Sequence, residues 1–377
     1  MNVYLDNAAT TPMAPEVVDA MIPFMREHFG NPSSMHAFGR KTKNAVEIIR
    51  KQIAKELNAD ASEIIFTSGG TEADNMALAT SVFDLGVERI ITSPIEHHAV
   101  GHTSEYLAKN HNVLLEHVRL DEKGSVDLEH LEELLGNSDK KTLVSLMHGN
   151  NEIGNLLPLE KVSALCQKYD ALFHSDTVQT MGHYRFDLQK TPIDFITCAA
   201  HKFHGPKGVG FLYVRKNNKI KSFIHGGTQE RGHRAGTVNV AGVVGLGKAV
   251  ELAFEGVEEH QKYVQGLKSY MKEELMKINP NIRFNGEQDE SKSLYTVLNV
   301  CFPQNEKTGM FLFSLDINGI AASGGSACSS GSNQGSHVIS ELGNVSDCQP
   351  IRFSFSRYTT KEEIDYALTK IKEMLEE

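Results

Sequence analysis

From about residue 63 onward, short apolar runs alternate with longer segments of helical periodicity. The apolar runs include EIIFTS, ERIITS, NVLLEHV, TLVSLMH, ALFHSD, DFITCAA and VGFLYVR. Alternation of this kind predicts buried strands joined by crossover helices, which form a mainly parallel sheet with helices on both faces. The sequence therefore predicts an α/β fold whose functional residues collect at the carboxyl ends of the strands.

The pattern changes after Gly247, and the chain of 377 residues is long enough for two domains. A long helical segment, about 248–278, leads to the strand candidates IRFNG, TVLNVCF and PIRFSFSRYTT. We predict a large domain over 15–255 and a smaller α+β domain formed by 1–14 and 256–377. The long helix is expected to connect them.

Composition and charge favour a globular protein that does not bind nucleic acid directly. Apolar residues make up 40% and charged residues 23%, as in soluble globular proteins, and the net charge of −10 argues against a direct nucleic-acid partner. The N-terminus lacks a secretory signal and no apolar run could span a bilayer, so we expect a cytoplasmic protein without a membrane partner. The five cysteines are scattered, and neither a disulfide framework nor a metal site is expected.

Two charged side chains follow predicted strands. Lys202 comes at the end of the run DFITCAA, where a partly desolvated amine could form a Schiff base. The alternative for Lys202 is a surface lysine in a basic hairpin. Asp176 ends the run ALFHSD, where a carboxylate could keep a pyridine nitrogen protonated, although a helix N-cap is an alternative.

Further polar residues stand after other strands. A Gly-Gly turn before Thr71 opens a helix, and such a helix start can cradle a phosphate. His97 could stack on an aromatic cofactor, and the Asn151 amide could bond a phenolic oxygen or a carboxylate. Arg352 has a planar fork that suits a substrate carboxylate. Each has a structural alternative, but together these residues are typical of a pyridoxal 5′-phosphate site.

A series of ordered motifs resembles those of the cysteine desulfurases and spans residues 4 to about 360. They are YLDNAATTP, GNPSSMHAFG, FTSGGTEADN, EHHAV, NNEIG, SDTVQT, AHKFHGPKG, HGGTQERGHRAGT, GGSACSSGS and IRFSFSRYTT. The context SGGSAC, with a long insertion before IRFS, resembles the NifS/IscS-like branch. The resemblance implies a homodimeric pyridoxal-phosphate enzyme of fold type I, in the class V aminotransferase group, with a seven-stranded type of sheet.

The resemblance also implies which residues bind the cofactor. Lys202 would be the Schiff-base lysine, and Asp176 would be the partner of the pyridine nitrogen. Gln179 would bond the phenolic oxygen, and His97 would stack on the ring. Gly70, Thr71 and His201 would hold the phosphate. Asn151 belongs to the same cofactor-binding set. Thr237 would reach the phosphate of the neighbouring subunit, which is why a homodimer is implied.

For the substrate, the resemblance implies that Asn151 and Arg352 receive the carboxylate of L-cysteine. The freed amine of Lys202 would remove the Cα proton, and the thiolate of Cys328 would take the sulfur as a persulfide, releasing L-alanine. His97 would help to ionise that thiol. A protein acceptor, either an iron–sulfur scaffold or a sulfur carrier such as a tRNA-thiolation relay, would then receive the sulfur.

Cys328 lies in a Gly- and Ser-rich stretch, 323–337, which we expect to be mobile. The sequence departs from the family pattern at Ala199, where a phosphate-binding serine is usual, and at Gly324, where a second serine is common. The alternatives are another class V reaction, such as aminotransfer or selenocysteine cleavage, and a catalytically inactive scaffold homologue.

Overall fold

The computed structural model describes residues 1–304, 308–324, 335–343 and 347–376. Its strands are β1 (Val3–Tyr4), β2 (Ile64–Thr67), β3 (Arg89–Thr92), β4 (Leu114–His117), β5 (Thr142–Ser145), β6 (Leu172–Asp176), β7 (Phe195–Ala199), β8 (Gly210–Val214), β9 (Arg283–Asn285), β10 (Val297–Pro303), β11 (Ile320–Ala321) and β12 (Cys348–Ser354). Its helices are α1 (Pro15–Arg26), α2 (Ala37–Glu56), α3 (Gly70–Phe83), α4 (His98–His111), α5 (Leu128–Gly136), α6 (Leu159–Lys168), α7 (Val240–Phe254), α8 (Val257–Ile278), α9 (Phe311–Ile317), α10 (His337–Ser340) and α11 (Lys361–Glu376).

The largest sheet of the described chain has seven strands in the order β2-β8-β7-β6-β5-β3-β4. Strands β4, β3, β5, β6 and β7 pair in parallel, and β8 runs antiparallel to both of its neighbours, β7 and β2. Every residue of β3, β5 and β7 is buried, as expected for strands covered on both faces. The predicted α/β fold class is confirmed.

Helices pack on both faces of this sheet, and the C-terminal part of the chain has a core of its own. That second core combines β10, β12, α8 and α11 with Val3 and Leu5 of the N-terminal arm. The arm is held there because β1 pairs in parallel with β11. The domain boundaries at 14/15 and 255/256 stay a prediction. No helix of the described residues combines the length and apolar character needed to cross a bilayer.

The prediction of a single long helix over 248–278 was wrong. The structure has two helices there, α7 and α8, with Glu255 and Gly256 between them. Gly256 has a φ of +67°, a left-handed conformation that glycine adopts without steric cost. Apolar periodicity runs through both helices, so the periodicity alone did not reveal the break.

We expected no disulfide framework from the scattered cysteines, and the structure shows one disulfide that this expectation did not foresee. Cys301 on β10 and Cys348 on β12 form a disulfide, with their Cα atoms 5.3 Å apart. The antiparallel register of these strands sets Cys301 opposite Pro350 and Cys348 opposite Pro303, which brings together two residues 47 positions apart. Sequence spacing carries no information about that pairing. Cys166 and Cys198 are buried free thiols.

Thiol titration under denaturing conditions tests the disulfide. Because the chain has five cysteines and two of them are paired, at most three thiols should react before reduction and five after it. Reduction should also lower the free energy of unfolding by about 2–4 kcal/mol, since the bridge closes a long loop. Five reactive thiols in a sample purified without reductant would contradict the pairing.

Candidate functional site

A cavity of about 230 Å³ lies beyond the carboxyl ends of β5, β6 and β7, next to the start of α3. It brings together most of the residues that the sequence indicated. They are Gly70, Thr71, His97, Asn151, Asp176, Gln179, His201, Lys202 and Arg352. These residues come from separate loops and strands of the two parts of the chain, so the fold has gathered them at one point.

Lys202 enters the cavity from the short 3₁₀ turn Ala200–Lys202 that directly follows β7. Its Nζ donates hydrogen bonds to the carbonyl oxygens of Ala8, at 2.6 Å, and Ala9, at 2.9 Å. The N-terminal arm therefore holds the amine in place at the cavity wall. The side chain is half-buried, and the alternative of an outward-facing surface lysine does not apply.

Asp176 is the last residue of β6 and is buried. Its Oδ1 accepts a hydrogen bond from the N–H of Val178 at 2.8 Å. Burial raises the pKa of Asp176 to about 6, with a further rise caused by Asp74, while His97 and the Val178 N–H oppose the rise. The carboxyl group is thus ionised at neutral pH and can accept a hydrogen bond from a ring N–H.

Two histidines of the cavity are neutral at pH 7. His97 caps α4, its Nδ1 accepting from the N–H of Ala99 at 3.2 Å, and burial lowers its pKa. The pKa of His201 is lowered to about 4, first by burial and then by the charge of Lys202. A neutral imidazole can stack on an aromatic ring or bind a phosphate through one N–H.

One end of the cavity is formed by the start of α3. The helix begins at Gly70, and no side chain of the described residues caps it, so its first N–H groups are available to an anion. A Cβ on Gly70 would lie 2.8 Å from Cγ2 of Val178, so only glycine fits this approach. Ala199 lines the same cavity and brings no hydroxyl group to it.

Arg352 of β12 also lines the cavity and is 1% exposed. Its Nη2 donates to Oδ1 of Asp6 at 2.7 Å, and its Nη1 donates to the carbonyl oxygen of Asn151 at 2.8 Å. Its Nε is buried and has no hydrogen-bond partner among the described residues. A guanidinium group with a spare buried donor is suited to binding a carboxylate.

Two predicted site residues do not line this cavity. Thr237 lies in a separate hollow that also contains Ser68, Gly208 and Arg234. Cys328 lies outside the described residues. Ser323 pairs with Arg352 through the main chain, and its hydroxyl donates to Oδ1 of Asp6 at 2.9 Å.

Sequence reasoning missed Asp74 and Asp6. Asp74 lines the cavity from α3. Most of the other buried residues of this helix are apolar, so an acid among them could have been identified from the sequence as a candidate site residue. Asp74, His97 and Asp176 each offer a ligand atom within 4.8 Å of the others, so these three side chains could also hold a metal ion. The lysine and arginine at the same cavity favour an anionic organic ligand instead.

Comparison with known proteins agrees with this geometry. Residues 3–367 match the family model of the class-V aminotransferases. The cysteine desulfurase IscS of Dictyoglomus turgidum is 43% identical over 99% of this chain and 94% of its own length. A solved NifS-like protein superposes with a TM-score of 0.91 at 39% identity, covering both chains completely.

A second solved structure, SspA in complex with cysteine, has a TM-score of 0.79 at 31% identity and covers 95% of this chain and all of its own. The resemblance drawn from the sequence motifs is confirmed. The chain belongs to the cysteine desulfurase family, in its NifS/IscS-like branch within the class V aminotransferases.

Proposed function

We propose that this cysteine desulfurase binds pyridoxal 5′-phosphate in the cavity between α3 and Arg352 and removes sulfur from L-cysteine there. The observation that carries the proposal is the meeting of Lys202, an ionised Asp176 and a neutral His97 in one cavity, with an anion-binding helix start at one end. These are the groups that bind an aldehyde, a pyridine nitrogen, an aromatic ring and a phosphate, respectively.

When bound, the cofactor supplies an electron sink for carbanion chemistry at the substrate Cα. Asp176 would accept the hydrogen of the ring nitrogen, Gln179 would bond the phenolic oxygen, and His97 would lie against the ring. Gly70 and Thr71, together with His201, would bind the phosphate. Because Ala199 has no hydroxyl group, it contributes no hydrogen bond to that phosphate.

L-Cysteine is held by its carboxylate at Arg352, with the Asn151 side chain beside it. The spare Nε donor and the Nη groups give Arg352 more than one N–H for a planar anion. Asp6 balances the arginine charge before the substrate arrives. We propose that the Lys202 amine, once freed, takes the Cα proton. The carbonyl oxygens of Ala8 and Ala9 position this side chain at the cavity.

Sulfur transfer is proposed for Cys328 on the basis of its sequence motif. Its thiolate attacks the substrate sulfur, a new S–S bond forms as the C–S bond breaks, and the carbon skeleton leaves as L-alanine after protonation. The persulfide then passes to a protein acceptor, an iron–sulfur scaffold or a sulfur carrier. His97 is the base that we propose for the Cys328 thiol.

The assembly and location of the enzyme are part of the same proposal. We expect a cytoplasmic homodimer in which Thr237 of each chain reaches the cofactor phosphate of the other. Thr237 lines a hollow other than the chain's own cofactor cavity, which supports that arrangement. We keep 15–255 as the large cofactor-binding domain and 1–14 with 256–377 as the small one.

The experiment that tests the proposed function compares the native protein with Cys328→Ser. With added cofactor and L-cysteine, the native protein should release alanine in step with sulfur delivered to a thiol acceptor. The serine variant should keep the visible absorption of the bound cofactor but lose persulfide formation. Undiminished release of alanine and sulfide by the variant would show that Cys328 takes no part in the reaction. A native protein that stays colourless after addition of cofactor would contradict the cofactor assignment.

Arg352→Lys provides a further prediction. Lysine keeps the charge but loses the planar fork, so the KM for L-cysteine should rise about 10- to 100-fold. Steady-state kinetics measure the change, and the absorption of bound cofactor checks that the variant is folded. Arg283→Lys, at an exposed arginine of β9, is the matched control and should behave like the native protein. A fall in kcat with an unchanged KM would exclude Arg352 from substrate binding.

A further inference from the structure

One acidic side chain is bound to the arginine that we propose for the substrate carboxylate. Oδ1 of Asp6 accepts a hydrogen bond from Nη2 of Arg352 at 2.7 Å, and this is the ion pair that Arg352 makes among the described residues. The arginine side chain of the pair is 1% exposed and the aspartate side chain 18%. A substrate carboxylate therefore binds to a cation that an anion of the chain already neutralises.

The main chain holds Asp6 in this position. The N–H of Ser354 donates to the carbonyl oxygen of Leu5 at 2.7 Å, and the side-chain Nδ2 of Asn7 donates to the carbonyl oxygen of Ser354 at 2.9 Å. Both neighbours of Asp6 are buried, and both are thus joined to β12 two residues after Arg352. The carboxylate is a fixed part of the site and does not depend on a loose terminal arm.

A second hydrogen bond orients the same oxygen. The hydroxyl of Ser323 also donates to Oδ1 of Asp6, at 2.9 Å, while Ser323 and Arg352 exchange two main-chain hydrogen bonds, at 2.7 and 3.2 Å. Oδ1 thus has two donors that keep it directed at the guanidinium group. The buried Nε of Arg352 has no partner among the described residues, which leaves a donor for a second anion while Asp6 stays in place.

Two anions on one guanidinium group repel each other. In a cavity with little water, this repulsion opposes part of the attraction between the arginine and a bound carboxylate. Loss of the Asp6 charge would remove the repulsion. It would also leave a buried cation without compensation, which a bound carboxylate would then neutralise. Both effects favour tighter binding of amino acids once Asp6 is neutral.

We propose that Asp6 is a positioning residue that acts through Arg352 and lowers its affinity for amino-acid carboxylates, so that the product L-alanine is released and L-cysteine replaces it. This inference rests on the proposed function. Substrate and product carry the same carboxylate, so an arginine that bound it very tightly would also retain the product. The charge of Asp6 sets the affinity for both.

The test compares the cofactor-loaded native protein with Asp6→Asn, which keeps an oxygen acceptor of the same shape and loses the charge. The inhibition constant of L-alanine against L-cysteine turnover should fall about 3- to 10-fold, and the KM for L-cysteine should fall with it. Because the inhibition constant is a dissociation constant, slower turnover alone cannot produce this fall. Simple damage to the site would raise both constants.

Thermal unfolding gives a second measurement. Saturating L-alanine should raise the unfolding temperature of Asp6→Asn more than that of the native protein, because it neutralises the cation that the variant leaves unpaired. Asp6→Ser provides the same comparison if the asparagine variant does not fold. Asp347→Asn is the matched control, since Asp347 pairs with Arg283 in an exposed ion pair, and its inhibition constant for L-alanine should equal that of the native protein.

Two outcomes would overturn the inference. One is an inhibition constant of L-alanine that neutralisation of Asp6 leaves unchanged or raises. The other is an equal effect of L-alanine on the unfolding temperatures of the native protein and the variant. If the native protein does not consume L-cysteine, the proposed function fails, and the unfolding temperatures with L-alanine still decide the role of Asp6.

Discussion

Replacement of Lys202 by alanine is expected to lower the turnover of L-cysteine at least about 10³-fold, since it removes both the attachment point of the cofactor and the base for the Cα proton. The cavity offers no second lysine among its lining residues. The cofactor should still bind through Asp176, His97 and the start of α3, but with an altered visible absorption. Stopped assays of alanine formation measure the loss.

Covalent attachment at Lys202 can be measured separately. After reduction with borohydride, the native protein should carry the cofactor on the peptide that contains Lys202, and Lys202→Ala should carry none. Lys207→Ala is the matched control, because Lys207 is exposed and five residues further along the same loop. Cofactor found on any other lysine, or activity retained by the Lys202 variant, would disprove the assignment.

Asp176→Asn is expected to weaken cofactor binding about 10- to 100-fold, as a charge-assisted hydrogen bond is replaced by a neutral one. The pH dependence gives a second signature. The pKa of Asp176 is raised to about 6, so the carboxylate is present above that pH and is lost as the pH falls through it. The dissociation constant of the native protein for the cofactor should therefore increase as the pH falls below about 6. The dissociation constant of Asp176→Asn should not show this increase.

Asp187→Asn serves as the control for this comparison, because Asp187 is a surface acid that caps a turn away from the cavity. Its affinity for the cofactor should equal that of the native protein at every pH. An Asp176 variant with native affinity, or with the same increase in dissociation constant below pH 6, would show that the ring nitrogen has another partner.

Much of this architecture follows from patterns that a sequence displays directly. Most strands of the main sheet are short apolar runs bounded by polar turns, and β2, β3, β5, β7 and β8 are buried along their whole length. Asp176 ends β6 and Lys202 stands in the short turn that follows β7, so the general rule for α/β sheets places them together. The resemblance to family motifs added site residues that hydrophobic patterning and strand ends do not indicate, such as Gln179.

Other features depend on distances that the sequence does not contain. Cys301 and Cys348 meet only because β10 and β12 pair in a particular register. The break at Gly256 interrupts a periodicity that continues on either side. Asp6 acts on Arg352 because the first residues of the chain pair with β11, more than 300 residues later.

The most direct test of the central claim is peptide mapping of the cofactor-loaded protein after a short incubation with L-cysteine, under non-reducing conditions. The account predicts one added sulfur atom on the peptide that contains Cys328, in amounts matching the alanine released, and none in Lys202→Ala. Alanine formed without added sulfur on Cys328, or the added sulfur found on Cys166 or Cys198 instead, would contradict it.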